Sequence, residues 1–368
     1  MKKKETIQDP MRRSSLAVPI PFLLILMINA MISSCTQEKI VTFSIESQPT
    51  ETDALIVSIA IIDEQTLWLS GTNSTFMRSI SGGDAWETFR HPEVDTFQYR
   101  DIHAVSAEEV VLLAIGDGVN SQIHKFSVTG GWETAFVMGE EEGFLNSIAF
   151  WDEMRGLAFG DSFDGKPYLL ETKDGGNSWS RIEGARLPDA GEGEGGFASS
   201  GSCIDVGRHG VAWVGTGASG HARILRTDDY GESWKAYESP IIKGELAGIT
   251  SVHFRTNREG FIAGGDLSST EAYTDNMALT TNSGKDWHLI GRPETPGPFY
   301  GSDLIRYGGK NILVATGPRG ADISLNGGES WANITDEDLW VVDLDARGFG
   351  WLGGRDGQLY KIEFHQRQ

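Results

Sequence analysis

An eight-residue phrase recurs along this chain at a spacing that only a repeat architecture accommodates. Its clearest form is Thr172-Lys173-Asp174-Gly175-Gly176-Asn177-Ser178-Trp179. Thr227-Asp228-Asp229-Tyr230-Gly231-Glu232-Ser233-Trp234 is a second copy, and the phrases closing at Trp287 and Trp331 carry Asn282 and Asn326 in the acidic position. An earlier copy closes at Trp86 with Ser81 in that position, and a shortened one closes at Trp132. The closing tryptophans stand 46, 47, 55, 53 and 44 residues apart. A near-constant period of this length marks stacked supersecondary units, each of which buries its apolar face only against its neighbours. The phrase reads as a hairpin turn. The Asp or Asn side chain is expected to accept backbone N–H groups two or three residues on, glycine supplies positive φ, and the tryptophan fills the seam between adjacent sheets. Asp174, Trp179, Asp229, Trp234, Asn282, Trp287, Asn326 and Trp331 are therefore assigned to structure.

Between these turns each unit repeats one order: an apolar strand, an acidic or glycine-containing turn, a strand ending in Gly, a polar turn, a third strand, the octapeptide, and a fourth strand from Trp. Innermost strands are expected over 54–62, 101–105, 145–151, 202–206, 249–254, 303–307 and 339–344. The seventh unit has a last strand at 359–364 and no octapeptide after it, so the segment 41–45 is expected to supply its missing strand. Forty-six glycines and eleven tryptophans in 368 residues fit many tight turns and large seam residues. The chain is read as all-β, a seven-bladed β-propeller occupying 41–368 as a single domain, with six or eight blades as the alternatives.

The residues before it read as an export signal. Lys2, Lys3, Lys4, Arg12 and Arg13 precede a mostly apolar run over 16–31, which ends at Ile32-Ser33-Ser34-Cys35. That ending resembles a bacterial lipobox, which makes Cys35 the expected lipidation site, 1–35 the signal and 36–40 a tether. An ordinary cleaved signal and an uncleaved anchor are the alternatives. A lipidated chain belongs in the cell envelope, in the periplasm or at the outer membrane. Cys203 is then the single remaining thiol, read as a buried apolar residue. The formal charge is −21. Without residues 1–35 there are 26 basic against 50 acidic side chains, or −24. Such a surface repels phosphate backbones, and no nucleic-acid partner is expected.

Alternating strands put all the octapeptide turns on one face of the disc. The opposite face takes the turns after each second strand and the links between blades, and a binding site is expected there, where loops vary most. It offers Asp117, Asp161, Asp266, Arg319 and Arg355, with Arg100, Asp101, Asn146, Glu192, Glu194, Tyr300 and Asp303 on the links. Asp161, Glu194, Asp266 and Arg319 are expected to line a pocket at the channel mouth, with Arg355, Arg100 and Tyr300 as further partner-binding candidates. The acidic, glycine-rich stretch 189–196 reads as a flexible cover over the channel. It lacks EF-hand spacing, and the scattered histidines lack zinc spacing. No metal and no cofactor are expected. Residues 215–220 match a dinucleotide glycine pattern but run into a strand instead of a helix, so they read as a turn.

The octapeptide resembles the Asp-box of bacterial neuraminidase (BNR) repeats. With Arg100-Asp101-Ile102-His103-Ala104, Gly156-Leu157-Ala158-Phe159-Gly160-Asp161 and Glu194-Gly195-Gly196-Phe197, the whole region 54–364 resembles the photosystem II stability/assembly factor-related family, within the sialidase-like propellers. The resemblance implies a protein-binding, assembly or stability role with an envelope protein or glycan as partner, and no catalytic residue. The alternative it leaves is a sialidase-like glycoside hydrolase. That enzyme needs three arginines around one carboxylate, a Tyr activated by a Glu and an Asp as acid/base, for which Arg100, Arg319, Arg355, Tyr300, Glu194 and Asp161 are the available residues.

Overall fold

The computed structural model describes residues 40–367. Seven four-stranded antiparallel sheets follow one another along the chain. Their innermost strands are Ile56–Ile61, Gln98–Ala104, Leu145–Phe150, Ile204–Val206, Ala247–Phe254, Gly301–Tyr307 and Leu339–Asp345, which define blades one to seven in that order. The seventh sheet is completed by the start of the domain: Ile40–Ser47 pairs with Leu359–Arg367, placing Phe43 opposite Phe364 and Ile45 opposite Ile362. The fourth strand of that blade comes from the segment the strand order left over. Closure joins the two ends of the domain within one sheet and leaves no blade short of a partner. The expected signal, lipobox and most of the tether lie outside the described residues.

The octapeptide turns share one hydrogen-bond plan, which differs in reach from the plan expected. Asp174 Oδ1 accepts the Ser178 N–H at 3.0 Å, four residues on, and its other oxygen accepts the Ser178 hydroxyl at 2.6 Å. The opening Thr172 hydroxyl accepts the Gly176 N–H at 2.9 Å. Thr227 with Asp229, Thr280 with Asn282, and Ser324 with Asn326 repeat the two contacts to backbone N–H groups. Ser81 substitutes for the acid by accepting the Ala85 N–H at 3.0 Å. Bonds from Ser178 hold the Asp174 carboxyl below its usual range. The fifth position, Gly176 at φ 80° or Gly284 at φ 77°, lies in the left-handed region where a side chain is strained.

Four of the closing tryptophans pack into the seams between blades. Trp179 packs with Val111 and Leu113 of blade two, Trp234 with Leu157 and Phe159 of blade three, Trp287 with Val211 and Trp213 of blade four, and Trp331 with Phe261 and Met277 of blade five. The core is thus a ring of inter-blade seams around a central channel. The inner strands run toward the face that carries the octapeptide turns, so their second halves form the channel wall at that end.

Candidate functional site: a cationic groove and an acidic channel

The face opposite the octapeptide turns is the one singled out from the sequence, and there the candidate residues are dispersed or already engaged. Glu194 is buried at 1 % exposure. One of its oxygens accepts the Thr216 hydroxyl at 2.7 Å and the other the Gly191 N–H at 2.7 Å, and Arg223 grips both. Glu194 therefore fastens the stretch 189–196 to blade four, so the cover is pinned. Beyond it, Ser200 donates to the Tyr300 carbonyl at 2.7 Å, Ser147 to the Gly201 carbonyl at 3.0 Å, and Ser202 to Ser251 at 2.8 Å. Residues 199–202 thereby cross between blades and close this end of the channel. A side chain at Gly201 would collide with the Asp101 carboxylate.

Asp161 sits beside the cover, accepting from Asn146 at 2.9 Å and from the Gly196 N–H at 3.1 Å. Partial desolvation raises its pKa against those two bonds. Asp266 caps its own turn through Ser268. Arg319 pairs with Glu271 at 3.1 Å and lines a 470 Å³ cavity with Glu294 and Asp336, whereas Arg355 lines a separate 490 Å³ cavity with Asp53 and Asp356. The four residues expected around one pocket do not assemble it. Three of the remaining candidates do meet. Arg100 lies over the Trp340 ring at 5.3 Å, Tyr300 packs on that ring at 4.6 Å, and Asp338 joins Trp340 Nε1 at 2.8 Å to Arg355 at 2.6 Å. Burial lowers the Arg100 guanidinium to about 10. Asp338 takes Arg355 as its ion-pair partner, and Arg319 and Arg355 line different cavities, neither of which Arg100 joins.

The structure instead opens two adjoining cavities on the face of the octapeptide turns. The larger, 710 Å³, is a groove between blades four and five. One wall is the turn after the inner strand of blade four, with Val206, Gly207, Arg208 and His209; the other is the matching turn of blade five, with Phe254, Arg255, Thr256, Asn257 and Arg258. Phe150 and Trp151 of blade three complete the lining. The walls are clamped: Asn257 accepts the Arg208 N–H at 2.9 Å and donates to the Arg208 carbonyl at 2.8 Å. Phe254 stacks on Trp213 at 3.6 Å and 6°, which supports the apolar floor. Three arginines and a histidine line this groove and no carboxylate does, on a chain of charge −21. Arg255 pairs with Glu259, while among the described residues no ion pair engages Arg208 or Arg258. Desolvation and the neighbouring Arg306 lower the Arg255 pKa, extending the positive field toward blade six.

The smaller cavity, 360 Å³, is the channel itself, which shares Phe150 and Val206 with the groove. Its polar wall is built from aspartates that staple neighbouring blades. Asp101 accepts the Ile102 N–H and, across the seam, the Ile148 N–H, each at 2.8 Å. Asp303 accepts the Leu304 N–H and the Leu344 N–H. Asp343 accepts the Ile61 N–H at 3.0 Å across the closing seam. Asp205 accepts the Val206 N–H at 2.7 Å and the Phe254 N–H. Burial raises Asp205, and raises Asp101 and Asp343 to about 7. His253 lies 2.9 Å from Asp303. His103, driven down to about 4 by burial, stacks neutral on Phe150 at 4.3 Å. Among the described residues, no three His, Cys, Asp or Glu side chains form a metal-binding group.

Sequence reading passed over Arg208, Arg255 and Arg258. The available signal was three arginines in the corresponding turns of two consecutive repeats of a strongly acidic chain. Asp101 and Asp303, read as link residues, are instead buried at 4 % and 2 % exposure.

No family model and no curated protein sequence matches this chain. Solved structures do. YCF48 bound to D1 peptide is 14 % identical at a TM-score of 0.58, covering 87 % of this chain and 94 % of that one. YCF48 from Cyanidioschyzon merolae is 13 % identical at a TM-score of 0.61, with 87 % and 98 % covered. The WD40 β-propeller domain of Doa1 is 12 % identical at a TM-score of 0.58, with 88 % and 97 % covered. The likeness is one of fold: a seven-bladed β-propeller.

Proposed function

We propose that this chain is a protein-binding propeller of the cell envelope, serving assembly or stability, whose groove between blades four and five takes an extended acidic segment of a partner. The observation that carries this reading is the groove's composition: Arg208, Arg255, Arg258 and His209 around Phe150, Trp151 and Phe254, with no carboxylate in the lining. Arginine forks recognise carboxylates in pairs of parallel bonds, and aromatic floors supply the anchor area that concentrates binding energy. One propeller of this fold has been solved with a peptide bound, which supports a peptide as occupant. Export and anchoring through Cys35 belong to the same proposal and rest on the lipobox-like sequence. Palmitate labelling of wild type but not of Cys35→Ala is expected, and equal labelling of both would remove the anchor.

The binding test uses a fluorescent peptide of alternating Glu and Phe, with a Lys-for-Glu peptide as control. The acidic peptide is expected to bind and the basic one not to. Arg208→Ala with Arg258→Ala is expected to weaken binding about tenfold, as for two partly exposed charge pairs, with the urea midpoint unchanged. Binding that ignores both substitutions, or peptide charge, defeats the assignment. A glycosidase is not proposed, because Arg100, Arg319 and Arg355 do not converge.

A further inference from the structure

The groove and the channel are two sides of the same pair of strand ends. Asp205 precedes Val206 on the blade-four wall, and His253 precedes Phe254 on the blade-five wall. The walls are tied at two points. At the rim the tie is the neutral Asn257–Arg208 pair of bonds. At the base it is a carboxylate, Asp205, which holds the Val206 and Phe254 N–H groups together across the seam. The width of the groove therefore depends at one end on a charge that the channel can alter.

We propose that His253, set among Asp205, Asp303 and Asp343, is a pH-sensitive latch at the base of the groove, and that its protonation regulates partner binding there. This rests on the groove being the partner site. The groups that face His253 come from five elements. Asp303 of blade six is 2.9 Å from its Nε2. Asp205 of blade four and Asp343 of blade seven act on it through the channel. Asp101 and His103 of blade two line the same cavity, and Arg255 follows two residues later on its own blade, paired with Glu259. Blades one and three offer only Ser58, Ile59, Ala60 and Ile61, and Ile148, Ala149 and Phe150, none of them titratable.

The sign follows from this arrangement. Burial alone would lower the imidazole, but Asp303, Asp205 and Asp343 reverse that and lift it to about 9. Through neutral pH the ring is a cation that balances the carboxylates. As pH rises through that value the proton leaves, and Asp205, Asp303 and Asp343 face one another without a cation. Asp343, raised to about 7 by burial and by Asp303, is ionised before that point, so its charge is in place when the proton leaves. Like charges in a narrow cavity repel, and Asp205 is the one of them that ties the groove. The groove is therefore held at neutral pH and loosened in alkali.

The experiment follows the full-length protein from pH 6 to 10 by two readouts. The first is hydrogen-exchange protection of the Phe254 and Arg208 amides, corrected for base-catalysed exchange. The second is affinity for the Glu/Phe peptide. Protection at Phe254 and peptide affinity are each expected to fall about tenfold, within the usual span of coupling between sites, while the Arg208 amide changes less. His253→Gln should abolish the step near pH 9. Asp343→Asn, which leaves the ring in place, should move its midpoint to lower pH because one raising charge is gone. His209→Asn, which alters the groove lining itself, should keep the step in Phe254 protection. A step that survives His253→Gln, fails to move in Asp343→Asn, or vanishes in His209→Asn overturns the latch. Constant Phe254 protection with pH-independent peptide binding also overturns it and leaves the groove reading intact. A Phe254 step in a protein that binds the peptide at no pH overturns the groove reading, and with it the regulation.

Discussion

The two faces of the disc invert what their sequences suggest. The face of the links has the longest and least regular segments, yet its polar groups are committed to one another. Glu194 is bonded at both oxygens, Arg355 is taken by Asp338 and Arg319 by Glu271, and residues 199–202 close the channel. The face of the octapeptides is built from one repeated turn, yet beside those turns lie short hairpins where no carboxylate answers Arg208 or Arg258 and where the channel is open. Loop length therefore located the cover and missed the cavity. What separates a binding face from a finished one is the balance of polar partners, because a buried group that already has its hydrogen bonds gains nothing from a ligand.

The comparison breaks first on stability. The seams belong to both faces, so Trp234→Ala should do more damage than any change confined to one face. It removes a ring packed between Leu157, Leu169 and Ala212 and should cost about 3–5 kcal/mol in urea melts, as for other large buried aromatics. A cost under about 1 kcal/mol would take Trp234 out of the seam. Glu194→Ala comes next. It strands Arg223, whose side chain is 13 % exposed, and breaking a buried pair costs about 3 kcal/mol or more. Peptide affinity in the groove should stay constant. Unchanged stability with lost binding would mean that the cover, and not the groove, is the working face.

The repeat made most of the fold legible. Thr172, Asp174, Gly176 and Trp179 encode a turn and its plug within eight residues, so every blade but the seventh carries a full or shortened local signal. Counting strands then offered 41–45 to close the ring. The site was not legible in the same way. Arg208 and Arg258 are far apart in the chain and become neighbours only because blades four and five adjoin. Glu194 read as a loop acid because its partner Arg223 lies in the next blade. Asp101 and Asp303 read as strand starts at the ends of the links because the inner strands begin earlier than expected, at Gln98 and Gly301. Even the octapeptide was misjudged in reach: its acid caps the N–H four residues on, since two consecutive left-handed residues, such as Tyr230 at φ 59° and Gly231 at φ 80°, turn the chain back toward it.

The smallest effect expected is also the sharpest test of the contrast. Arg319 stands where a sequence reading puts a ligand-gripping arginine, with 48 % of its side chain exposed, paired to Glu271, which is itself 69 % exposed. Two long side chains in water lose rotamer freedom to meet, and their attraction is screened by salt, so such pairs contribute about 0–1 kcal/mol. Arg319→Ala should therefore shift the urea midpoint almost imperceptibly. It should also leave Glu/Phe peptide affinity at the wild-type value, because Arg319 lies on the opposite face from the groove. Arg208→Ala with Arg258→Ala changes exposed arginines too, but on the face where no carboxylate answers them. If Arg319→Ala weakened the peptide as much as the groove pair does, net positive charge anywhere on this acidic chain would explain binding, and the two faces would not be functionally distinct. Repeating both titrations at raised salt separates the cases further. Screening should weaken wild-type binding steeply and binding by the groove variant less, with the Arg319→Ala curve lying on that of wild type.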